Sequence, residues 1–187
     1  MLQTIAARHV ARFTRTLANG SPELRLQLRE GSRTKMREWL RSGQIDVAWT
    51  IVEGAGRNTR QLWQEPFVLL AGRTHRFARK RQAPISWRDL EGEHLILRAS
   101  CEMPRGSLWP ESLRIRVVAR AERDELALRL VASGLGIVIA PQSLATEDVV
   151  ARSVNELDAV RSIGIASRSD LDAEKLAAAL EALSSIN

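Results

Sequence analysis

Cysteine and histidine are scarce in this chain of 187 residues, and long apolar runs are missing. The single cysteine, Cys101, excludes an internal disulfide. The three histidines, His9, His75 and His94, lie in different segments without metal-ligand spacing, so we expect no metal site. No run approaches the roughly 18 apolar residues of a membrane span, and the N-terminus lacks a secretory apolar region. These features predict a cytoplasmic protein that does not contact a membrane.

The motifs of common catalytic sites are missing as well. A Ser or Cys nucleophile on a strained turn would need a histidine base, and no Gly-x-Ser-x-Gly sequence occurs. The pair Gly54 and Gly56 lacks the later glycine and lysine of a phosphate-binding loop. Gly134 and Gly136 follow a helical pattern and precede a strand, the reverse of a dinucleotide fingerprint. The sequence therefore predicts a protein that is not an enzyme and carries no cofactor.

Basic residues are abundant, with an isoelectric point near 10.8 and a net charge of +6. The whole excess lies in residues 1–60, which hold 11 basic and 5 acidic residues. That third has only Phe13, Trp39 and Trp49 as aromatics, all at core-like positions, so it lacks the interleaved aromatics that stack on single-stranded nucleic acid. We interpret the excess as a solvated basic face, with an anion-binding or partner-binding surface as the alternative.

The first third alternates between helical and strand patterns. Thr4 is a candidate cap for a helix with Val10, Phe13 and Leu17 on one face, and Leu24–Leu28 alternates as a half-buried strand.

Ser32 is expected to cap a second helix that buries Met36 and ends at Gly43. Ile45–Ile51 then reads as another strand. Two helix-strand pairs in succession predict an α/β layer with a parallel sheet.

The middle of the chain continues with strands. An apolar strand at Leu62–Ala71 contains Pro66, which we take as a boundary between lobes, and Ser86–Asp89 has the spacing of a capping box. His94–Leu97 and Arg114–Val118 are further candidate strands.

The most informative segment is Glu125–Pro141. It combines an amphipathic helix, a helix-ending glycine at Gly134 and a β-branched strand closed by Pro141. A strand at Ser162–Ala166 and a closing helix at Leu171–Leu183 are expected to follow.

Three segments together resemble the effector-binding domain of the LysR-type transcriptional regulators. The first is Leu26–Ser32 together with Leu40–Ala48, which contains Gly-Gln-Ile-Asp. The second is Leu62–Ala71, which contains Glu-Pro-Phe-Val-Leu-Leu, followed by His75 and Trp87–Leu90. The third is Val131–Pro141. The resemblance implies a two-lobed fold like the type 2 periplasmic binding proteins, with a ligand cleft between the lobes. We expect lobe I to contain residues 1–65 and 161–187, and lobe II residues 66–160.

The sequence also departs from the family pattern. The winged helix-turn-helix of the family and the first strand of the domain would both fall before Met1. We therefore expect contact with DNA only through a domain that this chain does not contain. The stretch Ser100–Val118 is shorter than is usual in the family.

The resemblance also implies which residues contact an effector. On the first lobe these are Thr4 and Ser32 at predicted helix starts, with Arg33 as a weaker candidate, and Thr50 lies at the end of a strand, where open α/β sheets bind ligands. On the second lobe they are Arg98, Ala99 and Ser100. A guanidinium can donate two parallel hydrogen bonds to one carboxylate. The presence of Arg98 among the implied contacts therefore favours an anionic, carboxylate-bearing effector. Each residue has an ordinary structural explanation too, as a cap, a satisfied strand residue or a solvated arginine.

The leading hypothesis is a non-catalytic sensor that binds a small effector and regulates transcription in a full-length parent. The resemblance implies a homodimer whose two-fold face includes the first helix, the Leu24–Leu28 strand and the Glu122–Ser133 helix. A stand-alone solute-binding protein of a transporter is the alternative, and a truncated enzyme of the same bilobal fold is a third.

Overall fold

The computed structural model of the protein describes residues 1–23, 25–54, 56–79, 85–100, 110 and 112–168. The chain divides into two compact units. Unit 1 contains Met1–Gln64 and the chain from Ser162 onward, and unit 2 contains Glu65–Arg161. Within the described ranges, no helix is both long enough and apolar enough to span a bilayer.

Four helices and seven strands follow one another along the described chain. The helices are α1 (Ala7–Gly20), α2 (Arg33–Arg41), α3 (Arg76–Arg79) and α4 (Asp124–Ala132). The strands are β1 (Val47–Ile51), β2 (Thr59–Gly72), β3 (His94–Arg98), β4 (Arg116–Ala121), β5 (Val138–Pro141), β6 (Val149–Arg152) and β7 (Val160–Ser167). The predicted helix at Leu171–Leu183 lies outside the described residues.

Helix α1 begins later than the sequence predicts. Its cap position is Ala6, whose side chain makes no capping hydrogen bond, so the prediction of Thr4 as the cap residue is wrong. Thr4 instead lies in a buried turn two residues earlier, with 1% of its surface exposed. The predicted apolar face is confirmed, because Phe13 and Leu17 are buried and Val10 packs against the same cluster.

Helix α2 has the predicted ends. The Ser32 hydroxyl accepts a hydrogen bond from the Lys35 amide at 3.3 Å and so satisfies one of the unpaired donors of the first turn. Met36 is buried, and Gly43 follows the helix with a φ of 71°. Both the cap at Ser32 and the stop at Gly43 are confirmed.

The strand predicted at Leu24–Leu28 is wrong for its described part. Residues 25–28 form no strand, and Leu26 and Leu28 are 43% and 47% exposed. The segment Met1–Gln3 forms its parallel bridge with a later residue, between Leu2 and Gly31, and not with residues 25–28. Residues 25–28 thus have no described strand beside them to complete a ladder.

The sheet of unit 1 is antiparallel where the sequence predicts a parallel one. Strand β1 pairs with β7, with Trp49 opposite Ile165 and Thr50 opposite Gly164. Trp49 packs in the core of the unit against Phe13, with ring centroids 5.5 Å apart. The parallel expectation fails because it assumed a strand at Leu24–Leu28.

Unit 2 combines antiparallel and parallel pairing. Strand β2 pairs antiparallel with both β5 and β6, and β3 pairs parallel with β4. The core between them buries large apolar side chains from all parts of the unit. They include Phe67, Leu69, Phe77, Trp87, Leu90, Leu95, Ile137 and Ile139.

The segment that ends α4 follows the predicted pattern closely. Gly134 has a φ of 84°, its amide donates to the Val131 carbonyl, and the Leu135 amide donates to the Leu130 carbonyl. This is the Schellman arrangement, which satisfies the last carbonyls of a helix. Gly136 must be glycine because a Cβ there would lie 2.3 Å from the His94 carbonyl oxygen.

The capping box predicted at Ser86–Asp89 is also confirmed. The Asp89 carboxylate accepts from both the amide and the hydroxyl of Ser86, each at 2.8 Å. The capping box begins a short 3-10 helix, Trp87–Leu90, whose Trp87 and Leu90 side chains lie in the core of unit 2.

Candidate functional site

Three of the predicted site residues converge in unit 1. The Leu2 amide donates to the Trp49 carbonyl at 2.8 Å, and the Gln3 amide donates to the Gly31 carbonyl at 3.2 Å. Three short backbone segments therefore lie side by side at Leu2–Gln3, Gly31 and Trp49. Thr4, Ser32 and Thr50 each follow one of these paired positions along the chain, so the three residues lie near one another at one end of the three segments. Ligands of α/β sheets bind at ends of this kind.

Thr50 lies on the face of β1 that α2 covers. Neighbouring side chains of a strand point to opposite faces, and Trp49 points into the core beside α1. Thr50 therefore points to the other side, where α2 packs on β1. Only 7% of Thr50 is exposed, and its Oγ1 has no hydrogen-bond partner among the residues that the structure describes. A buried hydroxyl without a partner is uncommon and calls for an explanation.

Arg33 adds positive charge to the same end of α2. Its Nη2 contacts the Glu53 carboxylate at 2.5 Å, three residues after Thr50. The hydrogen bond and the charge of Arg33 hold the pKa of Glu53 below its ordinary value. The Arg33 Nε is buried and, within the described chain, has no partner. The Nη2 of this guanidinium is thus paired with an exposed carboxylate, whereas its buried Nε can still donate a hydrogen bond.

Arg98 in unit 2 has a different environment from the one its sequence position suggests. Its Nε and Nη2 bond to the two oxygens of the Asp124 carboxylate at 2.6 and 2.8 Å. The two side chains are only 2% and 10% exposed. The amide of the next residue, Ala99, donates to the Ala121 carbonyl at 2.8 Å, while Ser100 is half-buried. The guanidinium edge that the sequence assigns to an effector is occupied by a residue of this chain.

A second buried ion pair in unit 2 was not predicted from the sequence. Glu65 and Arg161 are 5% and 3% exposed, and the Glu65 Oε1 lies 2.7 Å from the Arg161 Nη2. The other oxygen of Glu65 accepts from the Ser143 amide at 2.9 Å. Burial alone would raise the pKa of Glu65, but the charge of Arg161 and the hydrogen bonds from the Ser143 amide and from Arg161 outweigh it and lower the pKa below its ordinary value.

A cavity of about 660 Å³ lies elsewhere in unit 2. Trp87, Arg88, Glu91, Leu113 and Glu156 are among its lining residues, and none of them is a predicted site residue. Its charged lining side chains are exposed and of both signs. The described chain also has no group of three or more His, Cys, Asp or Glu side chains that could hold a metal ion. The convergent hydroxyls of unit 1 therefore remain the better-defined site.

Sequence reasoning missed the partners of the two candidate arginines. Glu53 is 20 residues from Arg33, and Asp124 is 26 residues from Arg98, so no local spacing indicates either pair. The one usable signal was the position of Asp124 in the first turn of α4, where carboxylates are favoured by the helix dipole.

Comparison with solved structures shows the fold of the chain. The regulatory domain of Synechocystis CcmR, in complex with 2-PG, is 18% identical and superimposes with a TM-score of 0.79 over 99% of this chain and 93% of that one. The reduced OxyR regulatory domain from Pseudomonas aeruginosa is 21% identical, with a TM-score of 0.77 over 98% and 94%. The effector-binding domain of a BenM variant is 22% identical, with a TM-score of 0.70 over 95% and 87%.

These similarities confirm the predicted mixed α/β, two-lobed fold of the periplasmic-binding-protein type. No curated protein matches the chain. The family described as "LysR substrate binding domain" matches residues 1–185. The chain therefore belongs to the LysR substrate-binding domain family, whose members are regulatory effector-binding domains.

Proposed function

We propose that this chain is the sensor domain of a LysR-type transcriptional regulator, and that a small carboxylate-bearing effector binds at the N-terminal end of α2. The observation that carries the proposal is the buried, unpartnered Thr50 hydroxyl beside the start of that helix. Helix N-termini bind anions because their first amides are unpaired and the helix dipole is positive there. The regulator works in the cytoplasm and reaches DNA through a domain outside this chain.

Each residue of the site has a distinct part. Ser32 and Thr50 donate hydroxyl hydrogen bonds to the carboxylate, and Thr4 shapes the buried wall beside them. Arg33 supplies positive charge through its buried Nε, and its salt bridge with Glu53 competes with the effector for the same guanidinium. That bridge is exposed on the Glu53 side, so little free energy is lost if the effector draws the guanidinium away.

Arg98, Ala99 and Ser100 of unit 2 stay predicted effector contacts. Two relatives of the same fold support effector binding in general, since one solved structure contains 2-PG and another is named an effector-binding domain. A solute-binding protein of a transporter remains the competing function, and no feature of the described residues favours it.

A thermal-shift screen tests the proposal. Carboxylic acids, amino acids and sugars are added to the whole chain, and we expect the thermal midpoint to rise with at least one carboxylate, because a ligand that binds only the folded state stabilises it. An intact fold that no acid stabilises would overturn the proposal.

Two variants then locate the site. Ser32→Ala and Thr50→Val each remove one hydrogen bond to an anion, and we expect about tenfold to a hundredfold weaker binding of the acid by calorimetry. Ser42→Ala is the matched control, since Ser42 ends the same helix and should leave the affinity unchanged. Equal affinity in all three variants would place the acid elsewhere.

We also propose that the domain forms a homodimer through α1, the exposed segment 25–28 and α4. Leu26 and Leu28 are exposed, and Leu126 on α4 is 46% exposed. Helix α1 contains no acidic residue, whereas Glu122 and Glu125 lie exposed at the start of α4. The opposite charges of the two helices suit an antiparallel two-fold contact.

The oligomeric state tests this face. Leu126→Arg should convert the dimer into a monomer in light scattering, because an arginine would have to be buried at the contact. Leu135→Arg is the control, since Leu135 is similarly exposed but lies outside the proposed face. A chain that is monomeric at high concentration, or a dimer that both variants leave intact, contradicts the proposal.

A further inference from the structure

The start of helix α2 carries more positive charge than its own chain compensates. Arg33 and Lys35 lie in the first turn, Arg37 follows in the second, and the first turn contains no acidic residue. Cations are unfavourable at a helix N-terminus and anions are favourable, because the helix dipole is positive there. Glu38 pairs with Lys35 at 3.3 Å, so the excess that an anion would relieve comes from Arg33 and Arg37.

Arg33 and Arg37 lie on the same face of α2. They are four residues apart, which makes them neighbours on the helix surface, about 6 Å from each other along the axis. Side chains of a helix lean toward its N-terminus, so Arg37 extends back over the first turn. The start of α2 therefore has two guanidinium groups on one face.

Glu53 shows that a negative group is held beside both arginines. Its carboxylate contacts the Arg33 Nη2 at 2.5 Å. The hydrogen bond and the charge of Arg33 lower the pKa of Glu53 most, and the charge of Arg37 adds to this shift without a hydrogen bond. The Glu53 side chain is 77% exposed, so a competing anion displaces it at little cost in free energy.

Two buried donors indicate that a ligand binds beside these arginines. Thr50 is 7% exposed on the face of β1 that α2 covers, and its Oγ1 has no hydrogen-bond partner among the described residues. The Arg33 Nε is buried and has no partner within the same part of the chain. One carboxylate at these two donors uses Arg33 and leaves the exposed Arg37 for another acidic group.

We infer that Arg37 is a specificity-determining residue, and that the effector is a dianion whose second acidic group binds beside Arg37. The inference rests on the proposed function, in which the first carboxylate binds at Ser32, Arg33 and Thr50. The second group takes the place of Glu53, so that two negative charges face two guanidinium groups. A short dicarboxylate, or an acid that carries a phosphate, has its two charged ends about one helical turn apart and fits this spacing.

The first test compares acids of similar length that differ in one terminal group. They are butanoate, with an uncharged end, succinate, with a second carboxylate, 3-phosphonopropanoate, with a phosphonate, and 4-aminobutanoate, with an ammonium group. In thermal-shift titrations of the whole chain, we expect succinate to bind about fivefold to tenfold more tightly than butanoate, because Arg37 adds a charge-assisted hydrogen bond at an exposed position. We expect 4-aminobutanoate to bind most weakly, because Arg37 repels its ammonium group.

The two dianions identify the second group. Tighter binding of 3-phosphonopropanoate than of succinate would assign a phosphate to the position beside Arg37, and the reverse order would assign a carboxylate. Equal binding of butanoate and succinate, or tightest binding of 4-aminobutanoate, would overturn this inference and leave the proposed function standing. No binding by these or by any other carboxylic acid would overturn both.

The second test removes the charge of Arg37. Arg37→Gln changes an exposed side chain, so we expect an unchanged thermal midpoint, a succinate affinity that falls to that of butanoate in calorimetry, and an unchanged butanoate affinity. Arg41→Gln is the matched control, because it removes the same charge from the last turn of the same helix and should keep the preference for succinate.

A conservative variant separates recognition of charge from a structural role. Arg37→Lys keeps the charge but loses the planar fork of the guanidinium, so it should retain part of the preference for succinate. An Arg37→Gln chain that keeps the full preference, or an Arg41→Gln chain that loses it to the same extent, would show that Arg37 does not set the specificity.

Discussion

Units 1 and 2 differ in how they treat buried polar side chains. In unit 1 the hydroxyl of Thr50 and the Nε of Arg33 are buried with no partner among the described residues. In unit 2 the guanidinium groups of Arg98 and Arg161 are equally buried, yet each contacts a carboxylate of the same unit within 3 Å. The contrast is not complete: in unit 2 the buried hydroxyl of Ser143 has no described partner, while its amide is bonded to Glu65, and one nitrogen of the Arg98 guanidinium lies outside its two bonds to Asp124.

This difference bears on the proposed site in unit 1. An unpaired buried polar group costs about 1–3 kcal/mol, so a fold tolerates one more readily where another molecule completes the bond. A paired buried charge needs no such completion. The contrast therefore supports the proposal of an effector site in unit 1, where an effector would complete the bonds of Thr50 and Arg33.

The largest expected effect comes from breaking a buried pair in unit 2. Glu65→Gln removes the charge that faces Arg161, and the uncompensated guanidinium should lower the free energy of unfolding by about 3–5 kcal/mol in urea titrations. Glu91→Gln removes an exposed carboxylate from the same unit and should change little. Equal stabilities for the two variants would mean that the buried pair does not hold unit 2 together.

The ion pair of Glu65 and Arg161 also predicts that the free energy of unfolding falls in acid. The pKa of Glu65 in the folded chain lies below its ordinary value of 4.5, so the folded state favours the ionised form. The stabilisation is complete above that ordinary value and is lost as the pH falls through the lowered pKa. The difference in unfolding free energy between the native chain and Glu65→Gln should shrink over that acid range, and a constant difference would contradict it.

Local signals explain which parts of the fold were predicted correctly. The helix ends at Ser32, Gly43 and Gly134 were correct because a cap or a left-handed glycine acts within four residues along the chain. The strand at Leu24–Leu28 was wrong because alternation reports the faces of a strand, but not whether a neighbouring strand is present to pair with it.

The candidate site, whose role stays a prediction, could be read from the sequence to the same extent. Ser32 and Thr50 follow from helix and strand ends, and the backbone pairing at Leu2 brings them together with Thr4. The pairing of Arg98 with Asp124 depends on how β3 and β4 align, which no sequence spacing encodes. Long-range ion pairs are therefore the part of the site that only the folded chain reveals.

A smaller effect, of opposite sign, is expected in unit 1. Thr50→Val replaces a buried, unpartnered hydroxyl with a methyl group of similar size, and the ligand-free chain should become more stable by about 1 kcal/mol. Thr50→Ser keeps the hydroxyl and should not gain. A loss of stability in Thr50→Val would show that the hydroxyl has a partner in solution and would weaken the contrast between the units.

The smallest effect is expected at the exposed ion pair of unit 1. Glu53→Gln removes the carboxylate that competes for Arg33, and since the Glu53 side chain is 77% exposed we expect no measurable change in the thermal midpoint. The freed guanidinium should instead bind the effector about twofold to fivefold more tightly in calorimetry, as expected when an exposed pair no longer competes. Glu38→Gln removes the same charge from the Lys35 pair on α2 and should leave the affinity unchanged. Equal affinities for both variants would exclude Arg33 from the site, because among the described residues it is Glu53 that pairs with its guanidinium.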